Sequence, residues 1–159
     1  MPSEPIADLS RLDLTQTIAD HAAVYRVIKQ TGKFALLDAV VHFDPEVALC
    51  VGRKEIRSDA WWAADHIPGR PLFPGALMIE TGAQLCSWDF MKRSECTAET
   101  FVGFGGLNDT RFRGMVEPGV TMYFVARPKR IRKTMFTYEV QGLVEQSLVF
   151  ETEVMGVIL

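Results

Sequence analysis

A chain of 159 residues, 48% hydrophobic and 23% charged, suits one compact domain with a sizeable core and is short for two. Its formal charge of −3 lacks the basic excess of a nucleic-acid binder. No apolar run approaches the roughly eighteen residues that cross a bilayer, so no membrane span is expected. Cys50, Cys86 and Cys96 form neither a disulfide framework nor a zinc pattern. The start of the chain shows no basic segment leading into an apolar one, so a reducing, cytoplasmic setting is the expectation. Residues 1–8 read as a loose terminus on a single domain, 1–159.

In chain order, Leu14, Ile18, Ala22, Tyr25 and Ile28 recur at helical spacing, with Asp13 as cap and Gly32 as stop. Phe34–Phe43 and Val47–Ile56, joined by Asp44-Pro45, read as a β-hairpin. Arg57–Phe73 carries Trp61, Trp62, His66 and prolines at 68 and 71, and reads as an ordered loop. Pro74-Gly75 opens an apolar stretch to Met91, a helix apolar nearly all round and therefore buried. After a polar connection, Phe101–Gly105, Val120–Arg127, Met135–Val144 and Leu148–Leu159 read as strands. The simplest arrangement is α+β, an antiparallel sheet wrapped around the long buried helix, with an extra N-terminal helix.

The run from Asp65 to Glu80 holds the chemistry. His66 sits on a proline-stiffened loop. The helix that starts at Pro74-Gly75 offers first-turn N–H groups without partners inside the helix. Glu80 lies more than a turn in, among apolar neighbours, where an unpartnered carboxylate is costly. Gln84, at i+4, can donate to it, which would satisfy Glu80 with or without a catalytic role. On residue types alone His66 can equally be an ordinary surface histidine.

His66, Pro68, Gly69, Pro71, Pro74, Gly75, Leu77 and Glu80 together resemble the active-site motif of the 3-hydroxyacyl-(acyl-carrier-protein) dehydratases, including its fourteen-residue step from His to Glu. Phe104–Phe112, running on to Pro118-Gly119, is similar to a later block of that family, and Phe34–Val40 to its opening strand. The resemblance implies a hot-dog fold and a homodimer, with a trimer of dimers as a further assembly. It also implies an acyl carrier protein as substrate carrier and active sites shared between paired chains. His66 of one subunit would face Glu80 of its partner, and the Gly75 N–H would meet the thioester carbonyl. Phe73, Pro74 and Ala76 are the neighbouring substrate-binding candidates, and Gln84 supports Glu80.

Loss of water across C2 and C3 needs a base for the C2 proton, which suits His66, and an acid for the departing hydroxyl, which suits a buried Glu80. No cofactor and no metal are called for. Glu80, where a related branch has aspartate, points to dehydration without isomerisation. Two rivals share the fold: an acyl thioesterase, and a non-catalytic acyl-carrier or acyl-chain binding module. Asp65 stands where the family has glycine, and Gln30-Thr31-Gly32-Lys33 replaces its Pro-His. Arg127, Lys129, Arg130, Arg132 and Lys133 form a basic cluster, either a solvated hairpin or a dock for an acidic carrier. His21 and His42 read as structural. Trp61 and Trp62 read as core or interface residues, with an acyl tunnel as the alternative.

Overall fold

In the computed structural model, which describes residues 3–159, the elements run β1 (Ala19–Asp20), α1 (His21–Val27), β2 (Ala39–Asp44), β3 (Leu49–Ile56), α2 (Gly75–Arg93), β4 (Val102–Phe112), β5 (Val120–Ile131), β6 (Met135–Val144) and β7 (Ser147–Ile158). The strands form one antiparallel sheet in the order β1-β2-β3-β5-β6-β7-β4. β4 therefore pairs with β7 alone and ends the sheet.

α2 lies against the inner face. Its apolar surround buries Leu77, Met78, Leu85, Trp88 and Phe90 on different sides, as a helix wrapped by a sheet requires. Gly82 lets it settle close, since a β-carbon there would stand 3.0 Å from Val140. This is the hot-dog arrangement that the motif implied.

β2 and β3 are buried on both faces, which explains their lack of two-residue alternation. Val40 and Cys50 point into the main core with α2. Ala39, Val41, Leu49 and Val51 face outward into a second cluster, closed by Ile6, Ala7, Leu9, Leu12 and Leu14. The N-terminal segment is thus an arm across the outer face. Residues 3–8, expected to be loose, are tied down: Gln141 of β6 accepts from the Ile6 N–H and donates to the Glu4 carbonyl, both at 2.8 Å. Residues 1 and 2 of that expected terminus lie outside the described residues.

The N-terminal helix is shorter than its spacing predicts. Ile18 to Asp20 is drawn into the ladder beside β2, and Leu14 belongs to the outer cluster. Asp13 spends its carboxylate on Thr15, while Asp20 caps α1 by accepting from the Ala23 N–H. The helix ends at Val27, before Gly32, which opens a turn of 3-10 helix through Phe34. The predicted strand from Phe34 likewise begins late, at Ala39. The N–H groups of Leu36 and Leu37 go to side chains, Gln84 and Tyr25, instead of to a neighbouring strand.

Candidate active site

The loop from Arg57 to Pro74 is built on aromatic packing. Trp62 is buried and stacks at a tilt on buried Phe73, 5.2 Å between ring centroids. Trp61 is 44% exposed, with the Lys33 ammonium over its ring. The Phe73 N–H donates to the Val116 carbonyl, and Arg70 donates to the Met115 sulfur. These contacts pin the loop to the segment that follows β4.

His66 rides on this frame, exposed, with its N–H donating to the Trp62 carbonyl at 2.9 Å. Its Nδ1 lies 2.9 Å from the Leu72 carbonyl oxygen. A carbonyl can only accept, so Nδ1 carries a proton, and in the neutral ring the lone pair lies on Nε2. Asp65 has no hydrogen bond or ion pair to the ring among the described residues; its N–H also goes to the Trp62 carbonyl. The Leu72 carbonyl, not Asp65, orients the imidazole.

Pro74 is the N-cap of α2 and makes no side-chain cap; its carbonyl accepts from the Leu77 and Met78 N–H groups. The N–H groups of Gly75 and Ala76 have no partner among the described residues, so the positive end of the helix dipole stays open to an incoming oxygen. Gly75 also lies under Phe112 of β4: a β-carbon there would stand 2.8 Å from Cε1 of that ring. Phe112 stacks in turn on Phe150.

Glu80 lines a cavity of about 230 Å³ between α2 and the sheet edge, a lining that includes neither His66 nor Gly75. Gly103 and Phe104 of β4, Gly156 of β7 and Gln30 share its wall. The Gln84 amide donates to Glu80 Oε1 at 2.9 Å, the i+4 bond expected from the sequence. Glu80 Oε2 has no hydrogen bond among the described residues. Within one chain no hydrogen bond or ion pair joins His66 to Glu80. The structure sets Gly75 at the Phe112 end of β4, with His66 on the loop that leads into that helix start, and Glu80 at the other end of the strand, at Gly103 and Phe104. Phe73 underlies the loop as core and does not line the Glu80 cavity. Pro74 is half-buried and Ala76 exposed, both at the open helix start.

A known family, described as the FabA-like domain, matches residues 29–153. The chain belongs to the FabA-like family. Similar members include the 3-hydroxyacyl-(acyl-carrier-protein) dehydratases FabZ of Chloroflexus aggregans and Desulfotalea psychrophila. The first is 30% identical over 77% of this chain and 83% of the relative, the second 27% over 77% and 82%. A bifunctional LpxC/FabZ enzyme of Chlorobaculum tepidum is 29% identical over 89% of this chain, which spans only 30% of that longer protein. Among solved structures, a dehydratase heterocomplex from Xenorhabdus doucetiae superposes with a TM-score of 0.71 at 14% identity, covering 86% of this chain and 90% of that one. A thioesterase from Pseudomonas aeruginosa gives 0.59 at 13%, covering 76% and 80%. At such identities the likeness is one of fold.

The family motif thus lands on the loop and helix start described above. It does not reach Tyr25 of α1, whose hydroxyl donates to Gln84 Oε1 at 2.6 Å. The two residues are 59 apart in sequence, and only the folded chain joins them.

Proposed function

We propose that this chain is a hydro-lyase that removes water from 3-hydroxyacyl chains carried on acyl carrier protein, giving trans-2-enoyl thioesters in acyl-chain biosynthesis. The observation that carries the reading is the fixed imidazole of His66, Nδ1 occupied and Nε2 free, on a loop that leads into an uncapped helix start. His66 Nε2 takes the C2 proton. The Gly75 N–H donates to the thioester oxygen as charge builds there, and Ala76 lies beside it. Glu80 gives a proton from Oε2 to the departing hydroxyl. The acyl chain runs along the Glu80 cavity.

His66 and Glu80 meet across a homodimer. β4 has an unpaired edge carrying exposed Phe104, Leu107 and Phe112, the kind of edge that a second strand covers. Two copies paired antiparallel along it bring the Phe112 end of one strand beside the Gly103 end of the other. His66 and Gly75 of one protomer then approach Glu80 of its partner. Buried Cys50 and Cys86, both unpaired with free Cys96, agree with a reducing cytoplasmic setting.

The basic cluster divides in two. Arg127 pairs with Glu139 and Lys129 with Glu153 across the sheet. Arg130, Arg132 and Lys133, at the exposed β5–β6 tip, have no ion pair among the described residues and suit an acidic carrier protein.

The test is turnover of 3-hydroxyacyl-carrier substrates, followed by mass spectrometry for loss of water. His66→Ala should lose at least about 100-fold in kcat while staying folded. Unchanged dehydration removes His66 from the mechanism, and release of free thiol in place of enoyl product makes the chain a thioesterase. In the same assay, Arg130→Glu with Arg132→Glu should raise KM for carrier-bound substrate only. Equal effects on a small thioester end the docking reading.

A further inference from the structure

Gln84 is 1% exposed and uses its whole hydrogen-bonding capacity. Its Nε2 donates to the Phe34 carbonyl at 2.7 Å and to Glu80 Oε1 at 2.9 Å. Its Oε1 accepts from the Tyr25 hydroxyl at 2.6 Å and from the Leu36 N–H at 3.4 Å. Phe34 offers only an acceptor and Leu36 only a donor, so the amide cannot turn over. Its N–H must face Glu80.

Tyr25 is fixed from behind. Its hydroxyl accepts from the Leu37 N–H at 2.7 Å, so its single proton goes to Gln84. Burial above all, with help from the Asp38 charge, pushes this hydroxyl above the ordinary phenol range and keeps it a donor. The ring leans on His21, 4.9 Å between centroids, on the same helix. The other charge on this side, Lys54 of β3, is committed to the Leu36 carbonyl at 2.8 Å. An unbroken line of hydrogen bonds runs from α1 through Gln84 to Glu80.

We infer that Tyr25 is a positioning residue for the dehydration, acting through Gln84 to hold Glu80 Oε1 and leave Oε2 as the oxygen that delivers the proton. This rests on the dehydratase reading for its catalytic consequence, but the hydrogen-bond line itself does not. A bond polarised at one end of an amide strengthens the bond at the other, so loss of the phenol loosens the carboxyl. Ordinary scaffolding by α1 would change stability and leave the carboxyl alone.

The test is Tyr25→Phe in the full chain, with melting temperature as the control for folding. Expected are a fall in kcat of roughly 3- to 10-fold, the size of one hydrogen bond, with KM unchanged. Adding Tyr25→Phe to Gln84→Leu should cost nothing further. Independently of turnover, the 13C resonance of the Glu80 side-chain carboxyl should move in Tyr25→Phe. Replacing the tyrosines with 3-fluorotyrosine, a stronger donor, should move it the opposite way and needs no truncated side chain. A Glu80 resonance indifferent to both changes overturns the inference, whatever the rates do. A resonance that responds, in a wild-type protein that dehydrates nothing, sinks the dehydratase reading and leaves the Tyr25–Gln84–Glu80 line standing.

Discussion

The division of labour at His66 is set by one backbone oxygen. The Leu72 carbonyl fixes both the tautomer and the ring plane, so the free nitrogen points the same way in every molecule. No motif contains that information, because it depends on how the prolines curve the loop back on itself. The Glu80–Gln84 bond was legible, since four residues along a helix brings side chains together. Gly75 offers a test at this scale. In Gly75→Ala the new methyl must push the far end of the Phe112 ring aside, so melting temperature and dimer size are the controls. The fold should survive while kcat/KM drops on the order of 100-fold, as when an oxyanion donor is displaced. Wild-type turnover in that variant would take the helix start out of the chemistry.

α2 has two ends with opposite tasks. Its first turn has no side-chain cap, whereas its last turn is locked. Arg93 donates to both oxygens of Asp89, at 2.8 and 2.7 Å, and to the Pro45 carbonyl in the β2–β3 turn. Tyr138 donates to the same carboxylate at 2.5 Å, and Asp89 is fully buried. Arg93→Ala leaves that charge inside without its partner, which should cost about 3–5 kcal/mol in urea unfolding. A cost below about 1 kcal/mol would mean water or another group takes over. This element was read nearly to its ends, because a long apolar run after Pro-Gly has few other solutions. α1 was overread. Leu14 and Ile18 share its spacing by coincidence, and the ladder with β2 takes Ile18 to Asp20 out of any helix. A two-residue strand is too small to leave a pattern in sequence.

For the whole molecule, the proposed site is shared between two chains, and mixing variants checks this. His66→Ala and Glu80→Gln should each be inactive alone. Refolded together in equal amounts, they should recover about a quarter of wild-type activity, since half the pairs are mixed and each mixed pair has one intact site. No recovery would confine the site to a single chain. The outer-face arm was missed for a related reason. Its partners, such as Gln141, lie over a hundred residues away, and a short polar-apolar segment alone resembles a tail.

The placement of β4 at the far side of the sheet, paired only with β7, also governs how the chain reaches this state. A nascent polypeptide emerging from the ribosome makes β4 some forty residues before the strand that receives it. Until β7 arrives, the central helix cannot be enclosed, and an apolar edge waits in solvent. Closure of the sheet around the helix is therefore expected late, because the β4–β7 pairing joins distant segments. Pulsed hydrogen exchange during refolding should find the β4 and β7 amides protected in the same phase.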